Sequence, residues 1–134
     1  MLKKTIKYVD FDGNEQSKEA YFNLTRTEAL EISAEFGGDF EAEVSKIVAQ
    51  DDAYKMITIL KRIILKAYGE RDNSGQRFIK SEHLSSEFEQ TAAYDQLFMD
   101  LLADPENMKS FINQVLAQAM KQAQAANAQK KASK

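Results

Sequence analysis

Between Leu2 and Leu24 the chain alternates with period two. Thr5, Lys7 and Val9 interleave with Lys4, Ile6 and Tyr8, and Ala20, Phe22 and Leu24 face away from Tyr21 and Asn23. Alternation of β-branched and aromatic residues predicts two strands. Asp12-Gly13, extended by Asn14, provides a turn between them that tolerates positive φ. Two strands alone are marginal in water, so this hairpin must pack on the rest of the chain.

From Thr25 onward the period changes to that of helices. Either Thr25 or Thr27 can be the N-cap, and with Thr25 as cap Glu28 completes a capping box; Ala29, Ile32, Ser33 and Phe36 then share a face until Gly37-Gly38 ends the helix. Asp39 starts the next one, with Phe40, Val44, Ile47 and Val48 on one side up to about Gln50. Asp51-Asp52 break the pattern and precede Ala53–Tyr68, the most apolar stretch, whose polar arc narrows to Lys55, Arg62 and Lys66, widened by Thr58 and Lys61. So narrow a polar stripe predicts the central helix of its domain, capped by Gly69. After the turn-rich Arg71–Gly75, residues 76–80 predict a short extended piece pairing with the hairpin. Ser81 then opens a helix bearing Leu84 and Phe88. Thr91 opens another with Tyr94, Leu97, Phe98, Leu101 and Leu102. Asp104-Pro105 starts the last, with Met108, Phe111, Ile112, Val115, Leu116, Ala119, Met120 and Ala123 in line. The expected fold is α+β and predominantly α-helical, an N-terminal β-hairpin (residues 1–25) followed by about six helices. A single domain is expected over residues 1–120, with a flexible Ala/Gln/Lys-rich tail over 121–134.

Composition narrows the function. The 134 residues hold 18 Lys and Arg against 21 Asp and Glu, one His and no Cys. A mildly acidic chain lacks the cationic footprint for non-specific binding to nucleic acid or an anionic membrane. Without cysteine there is no thiolate nucleophile or zinc site, and one histidine cannot build a multi-histidine metal centre. No apolar run has the ~20 residues a membrane span requires. The charges come in blocks: residues 26–52 carry +2 and −8, residues 53–80 carry +7 and −2, residues 81–107 carry −7 alone and residues 108–134 carry +5 alone. Such blocks pair within one fold or head to tail between copies; solvated pairs of either kind contribute only about 0–1 kcal/mol each.

The candidates for chemistry are weak. In Asp10–Glu15 the glycine falls at position 4 and Tyr21 stands where a calcium loop needs glutamate, so a hairpin turn is the better account. His83 lies four residues before Glu87, which allows an ion pair and at most two metal ligands. The paired carboxylates Asp51/Asp52 and Glu41/Glu43 sit on caps and charged faces, where both stay ionised and acid–base work fails. Lys55, Arg62 and Lys66 could contact phosphates but follow an acidic block that can neutralise them. No catalytic, cofactor-binding or metal-ligating residue is expected, hence no enzyme. The last helix differs: its apolar face runs on as the chain runs out of elements to cover it. Either it is core, or Phe111, Val115, Leu116 and Met120 form a partner-binding surface.

Several segments carry a family resemblance: Tyr21-Phe22-Asn23-Leu24-Thr25, Leu65-Lys66-Ala67-Tyr68-Gly69-Glu70, Arg77-Phe78-Ile79-Lys80-Ser81, and Gln90-Thr91-Ala92-Ala93-Tyr94 with Leu97-Phe98. Together they span about residues 20 to 115, and the chain resembles the tail assembly chaperones of long non-contractile-tailed bacteriophages of Gram-positive hosts. The resemblance implies a small helical protein of the host cytoplasm. It implies binding to the phage tape measure protein, in many copies, keeping it soluble until tail tube subunits polymerise around it, and absence from the finished virion. The resemblance also implies, as in many such systems, a longer frameshifted form that recruits the tail tube protein. Two other readings stay open: a structural tail or head-completion protein retained in the virion, and a small regulatory nucleic-acid binder using Lys55, Arg62 and Lys66. The hairpin is a possible docking edge for another copy.

Overall fold

The structure, a computed structural model, describes residues 1–132, with side-chain surroundings for residues 1–117 and for Ala119. Strands β1 (Leu2–Val9) and β2 (Glu15–Phe22) form the expected hairpin, in register Leu2↔Phe22 through Val9↔Glu15. The Asp10 carboxylate accepts from the backbone N–H of Asp12 and of Asn14, and Gly13 takes φ +84° where the chain reverses. These bonds hold the Asp10 carboxyl below the usual carboxylate pKa, the Asn14 N–H contributing most. Ile6, Ala20 and Phe22 point into the core, as the alternation requires.

Six helices follow among the described residues: α1 (Arg26–Glu35), α2 (Phe40–Ala49), α3 (Ala53–Ala67), α4 (Glu82–Glu89), α5 (Ala92–Ala103) and α6 (Pro105–Ala132). The start signals act as read. Thr25 and Glu28 close the reciprocal capping box, and Asp39, Asp52, Ser81 and Thr91 each accept from the backbone N–H three residues on. α1 stops where Gly37 and Gly38 adopt φ +93° and +97°, allowing the Gly38 N–H to reach Ser33 O at 2.8 Å while the Ser33 hydroxyl donates to Gly38 O at 2.8 Å. α3 is the central helix, burying Met56, Ile59, Leu60, Ile63, Ile64 and Ala67. Its first turns leave Tyr54 and Ile57 exposed.

Two expectations need correction. Gly69 does not cap α3: the helix ends at Ala67, and Gly69 lies in a strand, β3 (Tyr68–Arg71), paired antiparallel to β2 through Tyr21↔Gly69. It must be glycine because a Cβ there would stand 2.6 Å from the Phe78 ring and 2.7 Å from Ile79 O. The extended piece after the loop, β4 (Phe78–Ile79), joins the sheet through β3 and not on the hairpin itself, giving the order β1-β2-β3-β4. The core then forms between sheet and helices. Phe22 meets Phe111 edge-on at 5.3 Å and 83°, and Tyr68 stacks flat on Phe88 at 4.0 Å and 7°. Burial lifts the Tyr68 hydroxyl to a pKa of about 12, and the Tyr94 hydroxyl likewise to about 12.

Candidate partner-binding groove

The last helix is largely core. Met108, Phe111, Ile112, Val115 and Ala119 are each no more than 1% exposed, and α6 packs against α1, α2, α3 and α5. Phe111 and Val115, expected to face a partner, are thus enclosed while the chain holds this fold. The reason is topological. α1 and α2, from early in the chain, pack on α6, and Phe111 sits against Phe22 of β2. The Lys4 ammonium also lies 5.9 Å over the Phe111 ring. Leu116 is different: it is only partly buried. The Met120 side chain lies outside the described residues.

Leu116 lines a groove of about 680 Å³ between α6, α1 and the start of α2. Its walls are Ala29 and Leu30 from α1, Phe40 from α2, and Leu116 and Ala117 from α6, with Asp39, Glu41 and Asn113 at the polar positions. Phe40 is buried as a floor, braced edge-on by Phe36 at 5.3 Å, whereas Leu30 stands 66% exposed. The double-glycine turn places Asp39 here, and its carboxylate caps α2 through the Ala42 N–H at 3.1 Å. No lysine or arginine lines the groove among the described residues. An apolar trough with an anionic edge accommodates an apolar helical stripe flanked by cations. Sequence reading found Leu116 but passed over Leu30. The available signal was a leucine standing off the Ala29–Ile32–Phe36 stripe, where a polar residue belongs.

The other candidates resolve into structure. Arg62 donates twice to Glu35, at 3.0 and 2.6 Å, and Lys55 lies 4.0 Å from Asp52, so two of the trio Lys55, Arg62 and Lys66 are already paired. The Arg62 bonds hold the Glu35 carboxyl below its usual pKa and raise that of the guanidinium. A second hollow, of about 520 Å³ beside α4, is lined by Glu28, Arg62, Lys66, Lys80, Ser81 and Glu89 among others, but its charges are largely spent on each other. Lys80 donates to Glu28, to Asn23 O at 2.9 Å and to Lys66 O at 3.3 Å, and Lys61 reaches Glu89 at 3.3 Å. His83 meets Glu87 at 3.0 Å on an open helix face. Among the described residues no group of three or more His, Asp or Glu side chains could hold a metal ion, and no helix is long and apolar enough to cross a membrane.

No curated protein and no solved structure matches the chain. A family model does, over residues 1–134, under the description phage tail assembly chaperone. A helical body whose charged clusters pair internally, and whose apolar groove stays open at one edge, fits that description, and the chain belongs to the phage tail assembly chaperone family.

Proposed function

We propose that the chain binds the phage tape measure protein during tail morphogenesis and keeps it soluble until the tail tube encloses it. A tape measure protein is a long chain with exposed apolar helical stripes, and shielding such stripes requires an apolar receiving surface and no bond-making. The observation that carries the reading is the groove around Leu116 and Leu30, apolar along its walls and open to solvent in the folded chain. Leu116, with Met120 one turn on, is the binding edge of α6; Phe111 and Val115 support it from within the core. Several copies coat one tape measure protein through weak, reversible contacts, in the cytoplasm of a Gram-positive host, and leave before the virion is complete. A longer frameshifted form recruits the tail tube protein. The hairpin edge remains the second surface for contact between copies.

Co-expression tests this. A tape measure protein that is insoluble alone becomes soluble when this chain is co-expressed, and Leu116→Asp removes the rescue while leaving the circular dichroism of the purified chaperone unchanged. Equal insolubility with and without the chain overturns the reading. Purified particles that contain the chain support the alternative of a tail or head-completion component.

A further inference from the structure

The groove between α1, α2 and α6 constrains the form of what it holds. None of the described residues that line it belongs to a strand; its walls are helices, whose backbone groups bond along their own axes. At the bend between α1 and α2 the Gly38 N–H is spent on Ser33 O, and Gly38 O accepts from the Ser33 hydroxyl, each at 2.8 Å. An extended peptide laid there would bury N–H and C=O groups with no ladder to pair them. An α-helix arrives with its backbone already bonded and meets the groove through side chains alone. The charge is equally constrained. Asp39 and Glu41 are the ionisable side chains among the described lining residues, both at the start of α2, whereas α6 contributes Asn113 as its polar group. One oxygen of Asp39 is engaged by the Ala42 N–H. Neither carboxylate pairs with a lysine or arginine among the described residues.

We propose that the groove selects, from the tape measure protein, amphipathic α-helices whose aliphatic stripe is bordered on one side by lysine or arginine, and passes over extended and acid-bordered segments; this rests on the cargo reading above. Aliphatic residues spaced i, i+3 or i+4, and i+7 meet Leu30 and Leu116 over the Phe40 floor, and the bordering cations meet Asp39 and Glu41. Apolar contact supplies the affinity. The solvated charges at the rim add little to it but decide between otherwise similar stripes, by attraction to cations and repulsion of acids. Coverage of the cargo is then patterned by charge: copies settle on stripes with a basic border and leave acid-bordered ones bare.

Fluorescence anisotropy with labelled synthetic peptides and the full-length chain tests the selection apart from co-expression. The peptides, of about 18 residues so that a helix can persist, share one leucine stripe. The first has lysine along one border of the stripe, the second glutamate there, and the third is the lysine peptide with a proline at its centre. At low salt the first binds at least about tenfold more tightly than either of the others. Its advantage over the glutamate peptide shrinks as salt is raised. Leu30→Asp weakens binding of the lysine peptide, and Glu41→Lys narrows the preference for lysine over glutamate, both in chains folded by circular dichroism. A glutamate or proline peptide that binds as well as the first overturns the proposal, as does a folded natural chain that binds none of them. So does affinity for the lysine peptide that falls as the chain is concentrated, because a second copy then fills the groove. Rescue of tape measure protein in co-expression alongside any of these failures leaves the cargo reading standing and removes the selection alone. The expected peptide preference without rescue removes the cargo reading and leaves the groove's chemistry.

Discussion

Lys80 shows how much one side chain can join. Its ammonium has three donors, and each finds an acceptor on a different element: Asn23 O after β2, the Glu28 carboxylate in α1, and Lys66 O near the end of α3. Lysine and glutamate are about one-fifth exposed, so the pair is screened less than a surface bridge. Lys80→Met strands one carboxylate and two carbonyl oxygens, and urea unfolding is expected to show a loss of about 1–3 kcal/mol. The same site sets an acid limit. Burial works against ionised Glu28, but the Lys80 ammonium and the Thr25 N–H outweigh it and hold its pKa below the ordinary 4.5. A depressed carboxylate contributes stability that is complete above its unfolded value and is lost as pH falls through the folded one. The unfolding midpoint should therefore drop as pH falls below about 4.5, and Glu28→Gln should flatten that drop in a pH series of thermal melts. Phe111 belongs to the same scale. As a fully enclosed ring against Phe22, its replacement by alanine is expected to cost about 3–5 kcal/mol in urea unfolding. A surface role would cost little.

At the scale of elements, the boundaries set by a single side chain were legible in the residues. Thr25, Asp39, Asp52, Ser81 and Thr91 announce helices because capping is a bond between neighbours in sequence, and the Gly37-Gly38 stop is equally local. β3 was not legible. Tyr68-Gly69-Glu70-Arg71 follows a helix directly and has no alternation, and its strand character comes from pairing with Tyr21 and Phe22, about 47 residues earlier in the chain. Gly69 in that position looks like a helix cap until the Phe78 ring is placed over it. Gly69→Ala forces the ring and the β4 backbone apart and is expected to destabilise by about 1–3 kcal/mol, with Phe78→Ala relieving part of the cost in a double-mutant cycle. The groove was half legible for the same reason. Leu116 is marked by its stripe, but only the packing of β2, α1 and α2, all distant in sequence, on α6 decides that Phe111 and Val115 lie beneath the surface and Leu116 at its edge.

At the scale of the whole molecule, the alternating charge blocks pair across elements that are distant in sequence. Arg62–Glu35 and Lys80–Glu28 link the blocks 26–52 and 53–80, and Lys61–Glu89 links 53–80 with 81–107. Most are partly solvated, so their sum is modest beside the core. Raising salt should move the melting temperature by no more than about 5 °C. The core itself is closed by the last helix. Met108, Phe111, Ile112 and Val115 complete a surface whose other sides come from β2, α1, α2, α3 and α5. That order of assembly has a consequence during translation. Until α6 clears the ribosome, Phe22 lacks the Phe111 ring that closes on it, and a nascent chain stalled before Pro105 should be cut readily by a protease that spares the released product. A phage tail assembly chaperone thus passes through its own brief interval of exposed core, ended only when α6 arrives.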